Sequence, residues 1–211
     1  GAQNNLGVCY KLGLGVKKDV KKAFYWYKQA AEKGETNAQY NLGQCYRNGI
    51  GVKQNSEEAV YWYKKAADHG NVDATANLGV MYATGDGVVQ DHSMAVALYR
   101  QAADMGSAHA QYNLGCCYAD GEGVEQNYKQ AAYWLERAAE QGDADAQYYL
   151  SDLYEYGKGV ELDEKKAMGL CLKAAEQGHA DAQYSAGHNY HAGNLVEVDF
   201  NKAVYWYQKA A

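Results

Sequence analysis

The chain has 211 residues, 47% of them apolar and 22% charged, with 23 glycines, 21 tyrosines, five cysteines and no proline. That balance can build a core and excludes disorder by composition; the missing proline excludes collagen, and no apolar run approaches the ~20 residues of a membrane helix. The net charge of −6 argues against a nucleic-acid binder, which carries a basic surplus. Charge is uneven: residues 1–73 hold 11 Lys/Arg and 7 Asp/Glu, net +4, and residues 74–211 hold 9 and 19, net −10. This asymmetry bears on partners rather than on fold. The opening Gly1-Ala2-Gln3 has no methionine and no signal-like segment. It reads as a mature form or an excised fragment, and localisation stays unknown.

From Ala2 onward the chain repeats itself. Ala-Gln-Tyr-Asn-Leu-Gly stands at Ala38 and Ala110, with variants at Ala2, Ala74, Ala146 and Ala182, all 36 residues apart and without insertion. The sixth unit is truncated. With that Ala as position 1, position 9 is Tyr in every unit (Tyr10 to Tyr190), position 12 is Gly, position 15 is Val, position 22 is Ala and positions 29–30 are Ala-Ala. Positions 1–11 carry apolar residues at 1, 5, 8 and 9, one face of a first helix, A. Gly at 12 suits a left-handed C-cap, and Gly-x-Gly-Val makes the turn. Position 18 is Asp19, Asn55, Asp91, Asn127, Asp163 or Asp199, an N-cap for a second helix, B. Helix B runs to about position 31 with its face at 22, 25, 26 and 29, which are Ala23, Trp26, Tyr27 and Ala30 in the first unit. Such a unit cannot bury both faces alone, so neighbours must stack. Gly7, Gly43, Gly79 and Gly115 at position 6 let the helices approach closely. The expected fold is an all-α, right-handed α-α superhelix of six 36-residue repeats, a single solenoid over residues 1–211 starting at 2, 38, 74, 110, 146 and 182.

The combination of Ala-Gln-Tyr-Asn-Leu-Gly, Tyr-x-x-Gly-x-Gly-Val and Lys-Ala-x-x-Trp-Tyr-x-x-Ala-Ala-x-x-Gly resembles the Sel-1-like repeat family, a relative of the tetratricopeptide repeats. The resemblance spans the whole chain at six registers. It implies an adaptor that holds other proteins together, as members do in bacterial signalling, envelope and host-interaction roles and in eukaryotic protein quality control. Departures cluster late: Ser151 at position 6, Gly169 and Leu170 for Tyr-Trp, Ala186 for Leu, and Leu195 for the second turn glycine. They predict less ideal packing in the last two repeats and a different final turn.

The Gly-x-Gly turns invite a phosphate-loop reading, but the helix end behind each is occupied by Asp or Asn, whose carboxylate would repel an anion. Cys9, Cys45 and Cys117 share core position 8, and adjacent repeats place such positions ~10 Å apart, beyond the ~7 Å that a disulfide spans. Cys116 points to another face and Cys171 sits at core position 26. The cysteine pair that brackets repeat junctions in some relatives is missing. All five cysteines read as reduced, which favours a reducing compartment and hence the cytoplasm. There is no Cys-x-x-Cys for zinc and no Gly-x-Ser-x-Gly, so neither a cofactor nor an enzyme is expected.

By analogy with tetratricopeptide arrays, helix A lines the concave face with positions 3, 7 and 10, and 11 beside them. The expected partner-binding residues are Tyr40, Gln44, Arg47, Asn48, Tyr112, Cys116, Tyr148, Asp152, Glu155, Tyr184, His188 and His191. They form a groove that is basic at one end, small in the middle and acidic at the other, suited to a protein or peptide. The tyrosines can also buttress neighbouring helices. Asp152 and Glu155 share positions 7 and 10 with His188 and His191 of the next repeat, a set chemically suited to a divalent metal; a solvated set of ion pairs is the preferred reading. The preferred function is an interaction scaffold with no nucleic acid and no membrane insertion, with weak head-to-tail self-association expected from end faces of opposite charge. The alternatives are a metal-dependent binder or enzyme at the Asp/Glu/His cluster, and a structural fragment of a longer array.

Overall fold

The computed structural model describes residues 1–211 as twelve α-helices and no strand. They are α1 (Ala2–Leu12), α2 (Val20–Ala31), α3 (Thr36–Asn48), α4 (Ser56–Asp68), α5 (Val72–Thr84), α6 (His92–Asp104), α7 (Ala108–Asp120), α8 (Tyr128–Glu140), α9 (Ala144–Tyr156), α10 (Glu164–Glu176), α11 (Ala180–Ala192) and α12 (Phe200–Ala210). The chain is an all-α solenoid of six two-helix repeats. It divides into two compact units, Gly1–Met105 and Gly106–Ala211. In each unit three helix pairs stack, every A helix packing on its own B helix and every B helix on the next A helix.

The caps form where the pattern places them, with one addition. Each B helix begins at the position-18 Asp or Asn, whose side chain accepts from an amide in the first turn. The backbone amide of that cap donates to the position-9 tyrosine carbonyl in all six repeats, at 2.9 Å from Asp19 to Tyr10 and 2.8 Å from Asp199 to Tyr190. This bond closes the A–B turn. From α3 onward the A helices start two residues earlier than the Ala-Gln motif suggests. A second set of caps at position 34 sets that start: Asn71, Ser107, Asp143 and His179 each accept from the amide of the motif alanine.

The final turn does differ. In the other turns the second glycine has a positive φ, 74° at Gly51, where a Cβ would lie 2.1 Å from the carbonyl oxygen of Val20. Leu195 takes no left-handed conformation. Its side chain, with Val196, packs instead on the core of Met168, Cys171 and Trp206.

The core is built from small residues and one large residue per layer. The alanines at positions 1 and 22 are all but inaccessible from Ala23 to Ala182, and Leu42, Leu114 and Leu150 at position 5 are fully buried, each stabilising by roughly 1.5–3 kcal/mol. At the A–B seam, position 6 faces position 26. A Cβ on Gly43 would stand 2.7 Å from the ring of Tyr63, and Gly7, Gly79 and Gly187 meet Tyr27, Tyr99 and Tyr207 in the same way. In the fifth repeat, where the sequence predicts poorer packing, Ser151 replaces Gly and Cys171 replaces Tyr. Both are buried, so the larger residue on one side is matched by a smaller one on the other. Ser151 Oγ donates to the Tyr148 carbonyl at 2.6 Å, and Cys171 Sγ to the Ala182 carbonyl at 3.4 Å. All five cysteines are free thiols.

Candidate protein-interaction face

Position 2 shows why the A helices sit where they do. Gln147 and Gln183 are buried, and their Nε2 atoms donate to the carbonyls of Ala139 and Ala175 at 3.1 and 3.0 Å. Each thereby ties an A helix to the end of the preceding B helix. The Oε1 of Gln147 accepts from Gln177 Nε2 at 2.8 Å, and Gln3 and Gln111 accept from Lys33 and Gln141, also at position 32 of their own repeats. In the second repeat position 32 is His69, whose Nδ1 lies 2.8 Å from the Lys65 carbonyl, and Gln39 Oε1 is buried without a partner. Composition hides this clamp; the Gln at position 2 and the donor thirty residues later are its signal.

On this frame the predicted residues fall into two kinds. In the first unit they bond to one another. Gln44 Nε2 donates to the Tyr40 hydroxyl, the Tyr40 ring tilts against Tyr63 with centroids 6.0 Å apart, and Arg47 Nη1 donates to Asn77 Oδ1 at 3.3 Å. Asn48 is exposed and donates to the Gln44 carbonyl. Burial, followed by the charge of Asp73, raises the Tyr40 hydroxyl pKa. A ladder between adjacent A helices runs through position 3 of one repeat and position 4 of the next. Asn41 bonds to Asn4 at 2.9 Å, and the Tyr148 hydroxyl lies 3.0 Å from Ser185 Oγ. The position-3 tyrosines therefore do buttress.

In the second unit Tyr112 is hydrogen-bonded to Cys116, whose thiol burial pushes up to about 12. Tyr148, Asp152 and Glu155 of α9 and Tyr184 and His188 of α11 line a cavity of about 380 Å³. Asp152 has its carboxyl pKa raised, first by burial and then by the Glu155 charge. The acidic ion pairs of this unit form elsewhere, between Lys166 and Glu136 and between His179 and Asp145.

The four-residue metal set does not assemble. His191 turns away from the cavity, its ring 5.8 Å from Phe200 and 6.3 Å from Tyr207, because the aromatic side chains of α12 give the imidazole a packing surface. No group of three or more His, Cys, Asp or Glu is placed to hold a metal ion. No helix is long and apolar enough to cross a membrane.

Two grooves on the B-helix side escape the A-face reading. Position 25 is Trp in four repeats and Leu in two, Leu98 and Leu170. A cavity of about 430 Å³ opens beside Leu98 and one of about 290 Å³ beside Leu170. The Leu-for-Trp exchange was the available signal.

Six consecutive matches to the Sel1 repeat cover residues 1–35, 36–71, 72–107, 108–143, 144–179 and 180–211. The chain belongs to the Sel1 repeat family. Among solved structures, c5321, a protective antigen of uropathogenic Escherichia coli with an SLR fold, is 38% identical at a TM-score of 0.89; the alignment covers 99% of this chain and 45% of that one. The chain thus spans less than half the length of that relative. A Sel1 repeat protein of Oxalobacter formigenes is 34% identical at a TM-score of 0.93, covering 100% of this chain and 84% of the other. The immunity protein Pa5087 of Pseudomonas aeruginosa, 21% identical at a TM-score of 0.62 and aligned over 99% of this chain and 80% of its own, shares the fold alone. No curated protein matches. Sel1 repeat proteins are generally protein-interaction scaffolds, and the fold is typically non-enzymatic.

Proposed function

We propose that this Sel1 repeat protein is a non-enzymatic scaffold that binds a partner protein or peptide through the helix-A positions 3, 7 and 10. The unbroken 36-residue register supports reading the repeats as one array. The observation that carries the proposal is the division of labour within each repeat. Positions 1, 22, 29 and 30 stay alanine, whereas position 7 runs Val8, Gln44, Val80, Cys116, Asp152, His188. A constant frame with changing chemistry on one face suits recognition by a preformed groove.

The face contains tyrosine and arginine, the side chains that dominate binding hot spots. Tyr184 is 58% exposed and His188 is also exposed. The test is capture of the partner by the intact protein and by variants of matched helicity. Tyr112→Ala, Tyr184→Ala and Arg47→Ala are each expected to weaken binding by about 1–3 kcal/mol. A larger loss from Lys28→Ala or Lys64→Ala, on the B helices, would put the binding face on the other side.

A further inference from the structure

We propose that the cavity between α9 and α11 is a socket for the guanidinium group of an arginine carried by the partner. The proposal rests on the helix-A face being the binding surface and names what one part of that face recognises.

Three observations converge. Asp152 and Glu155 stand on one face of α9 and both line the cavity, with no ion pair to a basic residue of the chain. Asn189, only 6% exposed, also lines it; its amide nitrogen donates to Met168 Sδ at 3.8 Å, which leaves the carbonyl oxygen without a protein partner. The walls are aromatic: Tyr148, held by its bond to Ser185, and Tyr184, leaning on Tyr207 with ring centroids 5.8 Å apart.

The Asn189 carbonyl oxygen and two carboxylates are acceptors only, so an occupant that donates several hydrogen bonds and carries positive charge suits the cavity. A guanidinium offers five N–H donors in a planar fork, pairs bidentately with carboxylates and stacks on aromatic faces; an ammonium matches neither the fork nor the walls. The volume, about 380 Å³, lies at the low end of the roughly 300–1,000 Å³ of ligand pockets and suits one long side chain with its adjoining backbone. A metal ion is the lesser fit, because His191 is turned away and no three ligands converge.

The test uses the whole chain, isotopically labelled for NMR, and an acetylated, amidated Gly-Ser-Arg-Ser-Gly peptide as the probe, with the citrulline peptide as the uncharged counterpart. Shifts confined to α9, α11 and Asn194 are expected, with binding weakened by about tenfold or more for citrulline and in Asp152→Asn and Glu155→Gln. Far-UV circular dichroism confirms that the variants fold. Equal binding of citrulline, shifts centred elsewhere, no shift at millimolar peptide, or micromolar zinc alone displacing the peptide would each overturn the socket. The two readings fail separately. If Tyr184→Ala impairs partner capture while the peptide does not bind, the socket falls and the face stands. If the peptide binds in the socket while no helix-A variant affects capture, the face falls.

Discussion

In the second repeat Gly43 lies beneath the ring of Tyr63; in the fifth, Ser151 faces Cys171. The two seams hold the same helices together with the volume divided differently, and the surfaces above them differ in parallel. Above the first seam Gln44 and Arg47 bond to Tyr40 and Asn77 and complete the frame. Above the second, Asp152 and Glu155 line an open cavity. Equivalent positions can therefore serve as structure in one repeat and as a site in another. What decides is whether the neighbouring repeat supplies a partner: Asn77 answers Arg47, while His191 leaves Glu155 for an aromatic surface.

Alkaline titration should produce the largest effect, since both seams hold an acid in its neutral form. Burial is the main cause that pushes the Tyr63 hydroxyl from 10.0 and the Cys171 thiol from 9.0, each to about 12. Above pH 9 the unfolded chain loses these protons first, so it binds fewer than the folded chain and stability falls as pH rises. The fall near pH 12 reaches roughly 2 kcal/mol for Tyr63 and roughly 3–4 kcal/mol for Cys171. Urea midpoints at several pH values should show the Cys171 contribution starting about one pH unit below that of Tyr63, and Cys171→Ala should flatten the curve between pH 9 and 10.

The seams can also be exchanged. Gly43→Ser is expected to cost about 2 kcal/mol by overpacking, and far less in a Tyr63→Ala background. Ser151→Gly should cost under about 1 kcal/mol, because Cys171 leaves room. Urea unfolding of the double-mutant cycle measures the coupling; additivity would mean that the pairs do not compensate each other.

A smaller effect is expected at His69. His69→Gln places at position 32 the amide donor that Gln39 Oε1 lacks and should raise stability by about 1 kcal/mol. The reverse change Gln177→His in the fifth repeat should lower it by a similar amount. Thermal melts of the two variants compare the clamps directly.

The smallest change is expected at Asp152. Its carboxyl is held above the ordinary range by burial and by Glu155, so the folded chain binds its proton more tightly and the ionised form costs stability at neutral pH. Asp152→Asn should stabilise by no more than about 0.5 kcal/mol at pH 7 and not at pH 3, where the carboxyl is protonated in either state. The same variant is expected to lose arginine binding, a trade of function for stability found at binding sites.

Much of this was legible from spacing alone. The 36-residue period, the caps at position 18 and the alanines at 22, 29 and 30 determine twelve helices and their pairing, because capping and close approach are local demands with few residue solutions. The start of the A helices needed the second caps at position 34, which precede the motif that draws attention. The candidate face was legible only as a set of positions. Which members it brings together depended on partners from another repeat: Asn77 for Arg47, Ser185 for Tyr148, Phe200 and Tyr207 for His191. Period determines which residues share a face, while rotamers and neighbours across a seam decide which of them meet. That is why the sequence by itself determined the fold of this protein, and only its tertiary structure decided that the acidic pair stands open and that one histidine has left it.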